Sequence, residues 1–420
     1  MSARRERVVI LGSGGREHAL AWWIGRSPEV DVVVAPGNGG TVPLNEPVDP
    51  MDPAAVVSLL RRLGATLLVV GPEAPLAAGV ADAARAAGFP VVGPSQRASR
   101  LETSKAFAKE IMQRTGVPTA AFARFSDAVE AERFVLGAPW SADGACVVKL
   151  DGLAGGKGVV VCDDGHAAAW AVRLLLGGAP GAELLIEERL HGPEVSVLAF
   201  VDGEHIAVLP PARDYKRVGD LDSGPNTGGM GAIAPVPGLP AGFLDDVGRR
   251  VFEPVVADMA DRGTPFCGVL YAGLLMAPDG YRVLEFNVRL GDPEAQSLLP
   301  LLADDPLDVL HRVAAGDGPS GVLATNGLSA ATVVMTAPGY PGSYPTGAEI
   351  RGLDDLPAGV LAFHAGTRAE DGRTVTAGGR VLALTATAET LDAAVALAYA
   401  GRAAVYFDGS HARDDIGRQA

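Results

Sequence analysis

A chain of 420 residues with a net charge of −15 and 48% hydrophobic residues has material for about two to four packed domains. The acidic balance argues against nucleic acid as the main partner, and no apolar run reaches the roughly 18 residues that a membrane span needs. The three cysteines, Cys146, Cys162 and Cys267, lack metal-ligand spacing and fit small apolar residues in a reducing cytosol; the apolar run after Arg7 is too short for a signal peptide, so a cytoplasmic protein is expected.

Residues 7–12, Arg-Val-Val-Ile-Leu-Gly, read as a buried strand ending in glycine. Ser13, Gly14, Gly15, Arg16, Glu17 and His18 then open a helix through about Ile24. Strand, glycine turn and helix begin a doubly wound unit, and a helix N-terminus with free N–H groups suits a phosphate. A dinucleotide fingerprint would need a third glycine where Glu17 stands, which disfavours a nicotinamide dehydrogenase. Strands at 31–35, 67–70 and 90–92 each end in a glycine or proline turn, carrying Asn38 after the first and Glu73 after the second. In open α/β sheets that edge is where ligands bind, although such turns also simply end strands.

Ser104 and Lys105 open a helix over 106–115, with Gly116 as its C-cap. The stretch 147–160, Val-Val-Lys-Leu-Asp-Gly-Leu-Ala-Gly-Gly-Lys-Gly-Val-Val, reads as two strand ends joined by a glycine-rich flap. Glycine lets successive N–H groups converge on one anion, and Lys149 and Lys157 add point charge, so the flap suits a polyphosphate. The order is not that of a Walker A loop, and an ordinary glycine hairpin with two solvated lysines is the plain alternative. A helix over 166–176 and a short strand over 184–188 follow, then a hairpin over 194–209. Residues 213–231 read as a long polar, glycine-rich loop of functional character. A helix over 244–262 precedes a hairpin of strands 268–276 and 281–286.

That hairpin ends in Glu285-Phe286-Asn287-Val288-Arg289. Period-two alternation puts Glu285, Asn287 and Arg289 on one face. A carboxylate and an amide oxygen two residues apart are hard ligands of the kind magnesium prefers, and Arg289 can neutralise a phosphoryl group in transit. Gly291, Asp292 and Glu294 extend the polar cluster. The strand 268–277 before it contains no carboxylate. From about Ala324 the pattern becomes α+β, with strands at 330–336, 360–364, 380–385 and 404–407 and a helix at 391–401.

In this order and spacing, Gly-Ser-Gly-Gly-Arg-Glu-His (12–18), Ala-Pro-Gly-Asn (35–38), Val-Gly-Pro-Glu-Ala-Pro (70–75), Ser-Lys-Ala-Phe (104–107), the flap, Asp-Tyr-Lys-Arg-Val-Gly-Asp (214–220), Gly-Pro-Asn-Thr-Gly-Gly-Met-Gly (224–231), Glu-Phe-Asn-Val-Arg-Leu-Gly-Asp-Pro-Glu (285–294) and His-Ala-Gly-Thr (364–367) resemble the phosphoribosylamine–glycine ligase family of the ATP-grasp superfamily. The resemblance implies α/β and α+β units: an N-terminal doubly wound parallel-sheet domain over 1–103, an ATP-grasp domain over 104–322 with a mobile lid subdomain at about 119–190, and a C-terminal α+β domain over 323–420. It implies ATP, glycine and 5-phosphoribosylamine as substrates of a monomer, with Mg2+ or Mn2+ on Glu285 and Asn287. Lys105, Lys149, Gly152, Gly155, Gly156, Lys157 and Gly158 would meet the ATP phosphates; Glu187, Glu188 and Leu190 would hold adenine, and Glu194 the ribose. Asp214, Arg289, Gly291 and Asp292 would lie near glycine, and Gly14, Gly15, Glu17, Asn38, Glu73 and Lys216 complete the substrate set. Lys149, Asp214 and Arg289 would carry the catalysis. Tyr215 and Gly155 depart from the family's expected His and Ala. Another carboxylate–amine ligase or a carboxylase is the alternative within the superfamily, and a nucleotide-binding regulator without turnover is the alternative outside it.

Overall fold

The computed structural model describes residues 5–152, 158–179 and 181–418. Its N-terminal sheet is parallel, in the order Val30–Pro36, Glu6–Gly12, Leu67–Val70, Val91–Val92. Within Glu6–Gly12, residues 8–11 are an unbroken apolar run because both faces of the strand are covered there. Val9 and Leu11 pack with Val56 and Leu60 on one side, while Val8 and Ile10 pack with Leu20 and Trp23 on the other. Full burial of each such side chain contributes about 1.5–3 kcal/mol. Trp23 has no exposed surface and stacks on Phe200 at 6.1 Å, so the first helix also docks this unit on the sheet that follows. Trp23→Ala would cost about 3–5 kcal/mol and loosen that docking.

The central sheet runs Gly280–Asn287, Cys267–Ala277, Glu194–Asp202, Ile206–Val208, Gly321–Val322. It too is covered twice. Val195, Val197, Ala199 and Val201 face Phe252, Val255 and Met259, and Leu198 and Phe200 face Trp23 and Leu310. The helix expected over 244–262 is present as Phe243–Val247 and Glu253–Asp261 joined by a wider π turn at Gly248–Phe252. Pro254, which has no N–H to give the preceding turn, accounts for the interruption.

A smaller antiparallel sheet, Phe122–Phe125, Leu184–Glu188, Cys146–Leu150, Val159–Cys162, is backed by helices Ala128–Leu136 and Gly165–Gly177 and has its own core around Val148, Val172 and Ile186. Its last two strands are antiparallel neighbours that pair Lys149 with Val159, and residues 153–157 of the flap reading lie outside the described residues. The last sheet runs Arg213–Asp214, Gly231–Ala234, Ser329–Thr336, Arg380–Ala388, Val360–His364, backed by helix Leu391–Ala404.

Two expectations are corrected. Residues 213–231 are not a plain loop: they hold a short hairpin, Arg217–Gly219 with Ser223–Asn226, and feed two strands into the last sheet. Residues 404–407 do not form a strand beyond an isolated bridge of Tyr406 to Arg351, because the alanines at 403 and 404 continue the helix. The parallel sheet followed by α+β units is otherwise the fold class expected. Among the described residues no helix is long and apolar enough to cross a membrane.

Candidate active site

One cavity of about 500 Å³ takes lining residues from every sheet-bearing unit. Among the described residues its wall carries seven cations (Arg16, Lys105, Lys109, Lys149, Lys216, Arg289, Arg380) and seven carboxylates (Glu73, Glu102, Glu187, Asp214, Glu285, Asp292, Glu294). Charge is therefore balanced overall, and what matters is which groups are already paired.

Ser104 caps its helix by accepting from the Phe107 N–H at 3.1 Å. Asp151, just before the flap, accepts from the Ser104 hydroxyl at 3.0 Å and from the Ala106 N–H at 3.1 Å. Lys105 Nζ donates to the Gly152 carbonyl at 2.8 Å. The helix start and the root of the flap are thus one unit, with Lys105, Lys149, Gly152 and Gly158 on the cavity wall. Gly155, Gly156 and Lys157 lie outside the described residues. Glu187 Oε1 stands 2.9 Å from Lys149 Nζ and its Oε2 stands 2.9 Å from Lys109 Nζ. Burial lowers the pKa of Lys105 and of Lys109, with Glu285 and Glu187 respectively pulling back. Glu187 lines the cavity, but as the shared partner of two lysines rather than as a free acceptor. Glu188, Leu190 and Glu194 are not on the wall; Glu188 accepts from the Ala121 N–H at 3.4 Å, and Glu194 takes Lys216 Nζ at 2.5 Å.

Strand Gly280–Asn287 places Glu285 opposite Gly273 and Asn287 opposite Tyr271. Glu285 makes no side-chain hydrogen bond or ion pair with any described residue, yet burial, which disfavours its charge, is outweighed by Lys216, Lys149, Lys105 and Arg289, and its pKa falls. One end of the Asn287 amide faces two acceptors, Glu102 Oε1 at 3.1 Å and the Phe286 carbonyl at 3.2 Å, and hydrogen bonding assigns that end as the nitrogen. A partnerless carboxylate and an amide oxygen fit a hard divalent cation whose remaining ligands come from elsewhere. Among the described residues no cluster of three or more His, Cys, Asp or Glu side chains offers a complete protein cage.

Arg289 meets Glu102 Oε1 at 2.9 Å and Glu73 Oε2 at 3.3 Å. Burial disfavours its cation, but the two carboxylates outweigh that and push its pKa up. Asp292 accepts from Gln296 at 2.7 Å and pairs with Arg380 at 3.3 Å, so despite burial its pKa falls, with Arg380 and Arg16 as the main opposing charges. Arg380 also donates to the Gly228 carbonyl at 2.6 Å, which ties the 224–231 segment to the Gly291-Asp292 turn. Gly291 has no room for a side chain, since a Cβ there would lie 2.3 Å from a Glu294 oxygen.

Asp214 is pushed up to about 7, first by burial and then by Glu294, Glu194 and Glu285, with Lys216 opposing. Lys216 rises well above its ordinary value, because Asp214 and Glu194 outweigh its own burial. Ser196 bridges the Tyr271 hydroxyl at 2.9 Å and Glu294 at 3.0 Å. This corner of the cavity is short of positive charge and would be relieved by a ligand ammonium.

Two residues expected to contact substrate stand off the cavity wall. Glu17 is almost fully buried and absent from the wall. Its carboxylate accepts from the Gly14 N–H at 2.6 Å, the glutamate half of a capping box, and from Arg16 at 2.6 Å. It fills the space that side chains would need at Gly12 and Gly71, where a Cβ would lie 2.6 and 2.1 Å from it. Asn38 is also off the wall: its Nδ2 donates to the carbonyls of Ser13 at 3.0 Å and His364 at 2.8 Å, while its Oδ1 accepts from the Gly40 N–H. Both residues shape the Gly14–Gly15 turn, whose neighbours Arg16 and Glu73 reach the cavity. Glu102, Lys109, Tyr271 and Arg380 belong to the wall and are not apparent from local sequence pattern.

Three family patterns divide the chain: "Phosphoribosylglycinamide synthetase, N domain" matches residues 6–102, its "ATP-grasp (A) domain" matches 103–295 and its "C domain" matches 330–419. A phosphoribosylamine–glycine ligase of Rhodopirellula baltica is 46% identical over 98% of this chain and 97% of its own length. A trifunctional purine biosynthetic protein, adenosine-3, of Gallus gallus is 46% identical over 99% of this chain, which spans only 42% of that longer protein. The crystal structure of a phosphoribosylamine–glycine ligase from Thermotoga maritima superposes with a TM-score of 0.85 at 34% identity, covering 98% of this chain and 100% of the other. A biotin carboxylase from Campylobacter jejuni, at 16% identity and a TM-score of 0.71, shares the fold. With sequence patterns, full-length relatives and architecture in agreement, the chain belongs to the phosphoribosylglycinamide synthetase family.

Proposed function

We propose that this chain joins glycine to 5-phosphoribosylamine through glycyl phosphate, giving glycinamide ribonucleotide, ADP and phosphate. Family membership makes it an ATP-dependent ligase of purine biosynthesis. The observation that carries the proposed path is Glu285, a carboxylate without a protein partner among the described residues, set in the field of Lys105, Lys149, Lys216 and Arg289 in the same cavity as the acidic corner at Asp214.

In this reading Lys105 and Lys149 hold the ATP phosphates, with the flap glycines and Lys157 closing over them. The backbone at Glu188 and Leu190 takes the base and Glu194 the ribose. Glu187 keeps Lys149 aimed. Magnesium or manganese fits Glu285 and Asn287 and would supply further charge neutralisation at the transferring phosphoryl group. Asp214 holds the glycine ammonium, which leaves the carboxylate as nucleophile. One carboxylate oxygen bonds to the γ-phosphorus as the bond to ADP breaks, and Arg289 stabilises the charge in transit. The amine of phosphoribosylamine, seated by the Gly14–Gly15 turn with Glu73 and Lys216, then attacks the acyl carbon. The carbon–oxygen bond to phosphate breaks and the nitrogen loses a proton. Gly291 and Asp292 shape the glycine end. No covalent enzyme intermediate is needed, because a carboxylate activated by phosphate is already a competent acyl donor.

We also place the domain limits at 103 and 322 and the lid at about 119–190, and take the working species to be a cytoplasmic monomer. The test of function is ADP release that requires ATP, glycine and freshly generated phosphoribosylamine together. Glycine with heavy oxygen in its carboxylate is expected to pass one labelled atom to phosphate per turnover. Unlabelled phosphate, or an accumulating phosphorylated or acylated protein, overturns the path.

A further inference from the structure

We propose that Glu102 is the positioning residue that makes Asn287 present an oxygen, rather than a nitrogen, to the cation, and that holds Arg289 beside it. The inference rests on the metal assignment to Glu285 and Asn287 made above. Glu102 belongs to a short helix, Arg100–Thr103, that precedes Lys105, and its side chain is 7% exposed. It reaches three consecutive residues nearly two hundred positions away. Its Oε2 accepts from the Val288 N–H at 2.8 Å, and its Oε1 lies 2.9 Å from Arg289 and 3.1 Å from the end of the Asn287 amide that hydrogen bonding assigns as the nitrogen.

The consequence follows from donor and acceptor chemistry. An amide has one donating and one accepting end, and the end that faces a carboxylate must be the NH2. Glu102 and the Phe286 carbonyl are both acceptors, so the nitrogen is spoken for and the oxygen is the end left for the cavity. Without Glu102 the amide could turn over and offer hydrogens to a cation. The same contact explains why position 287 carries an amide and not a second carboxylate. Aspartate there would set two like charges about 3 Å apart in a desolvated corner. It also predicts how the pair can be exchanged: glutamine at 102, with its NH2 in the place of Oε1, could donate to aspartate at 287 while its carbonyl still accepts from the Val288 N–H, and Arg289 would then pair with the new aspartate and Glu73 instead of residue 102.

The experiment is a double-mutant cycle read by Mn2+ titration of the full chain with ADP, using the loss of the free-ion electron paramagnetic resonance signal, with kcat measured in parallel. E102Q alone is expected to weaken Mn2+ by about tenfold, the low end for a residue that orients a ligand. N287D alone is expected to weaken it by a similar or larger factor, and E102Q/N287D to bind at least about tenfold more tightly than N287D. E285Q is the control on the underlying assignment. If E285Q weakens Mn2+ but the two changes at 102 and 287 are simply additive, the role of Glu102 is overturned and the metal site stands. If E285Q leaves Mn2+ affinity unchanged, the metal assignment is overturned and this inference falls with it.

Discussion

Lys149 Nζ stands 2.9 Å from Glu187 Oε1, across neighbouring strands whose register pairs Val147 with Glu187. Glu187 has a second cation, Lys109, whose side chain is 2% exposed. The two lysines therefore differ in what their loss does. Lys149→Ala leaves Glu187 paired and removes a phosphate contact, so ATP affinity falls by roughly 2–5 kcal/mol with little change in stability. Glu187→Ala strands a buried ammonium, and the fold loses about 3–5 kcal/mol. Nucleotide titration and denaturant melts separate the two, and equal stability in both variants would refute this account.

Glu285→Gln keeps the shape of a side chain that no described residue holds. Stability is expected to shift by no more than about 1 kcal/mol, while ATP turnover at ordinary magnesium disappears. Turnover near that of the unaltered chain would remove Glu285 from the metal site.

Asp214 gives a pH dependence with a definite sign. Its pKa is raised from 3.8 to about 7, so between those values the folded chain binds more protons than the unfolded one. Stability from this group is therefore fullest at low pH and is lost as pH rises toward 7. Binding runs the other way, because only ionised Asp214 can take the glycine ammonium. The KM for glycine is expected to rise as pH drops below about 7, and to lose that dependence in Asp214→Asn. A pH-independent KM in the unaltered chain would rule out this role.

One contact between the N-terminal turn and the last sheet joins half-buried His18 to buried His364. His18 Nδ1 accepts the His364 N–H at 2.9 Å. Burial lowers His18 to about 3, with His364 adding to the effect, and burial alone lowers His364 to about 4. Both are neutral in the fold and charge on unfolding, so their contribution is complete above pH 6.5 and is lost as pH falls through that value toward 4. Denaturant midpoints should fall with acidification over that range, and more shallowly in His364→Asn. Parallel slopes for the two proteins would contradict the argument.

What could be read in the sequence was local. The flap announces itself by glycine and lysine within one stretch, and Glu285, Asn287 and Arg289 by alternation along one strand. Tyr271 was only half within reach: the register set by the turn at Asp279-Gly280 would bring Leu270 opposite Asn287, and a bulge between Gly273 and Leu274 shifts the pairing by one residue to Tyr271. Glu102 and Arg380 were not. Glu102 meets Arg289 across 187 residues, and Arg380 meets the Asp292 carbonyl across 88, and no periodicity marks an isolated charge that works by tertiary crossing. Glu17 and Asn38 differ for the opposite reason. They lie in glycine turns of the kind that hold ligands, but their polar atoms are consumed in holding the turns themselves.

Asp214 sits on a strand that pairs with Gly231–Ala234, and that strand pairs in turn with Ser329–Thr336. The residue proposed to hold glycine is thus hung from the edge of the last sheet, although it precedes most of that sheet by more than a hundred positions. Recombination between relatives would feel this. A crossover anywhere between Ala234 and Ser329 splits one hydrogen-bonded sheet between two parents and leaves the fully buried Ala232 and Ala234 to pack against a foreign neighbour. The C-terminal portion is therefore not an exchangeable cassette: chimaeras joined in that interval inherit a mismatched seam behind the glycine site, whereas a join ahead of Arg213 keeps the seam from a single parent.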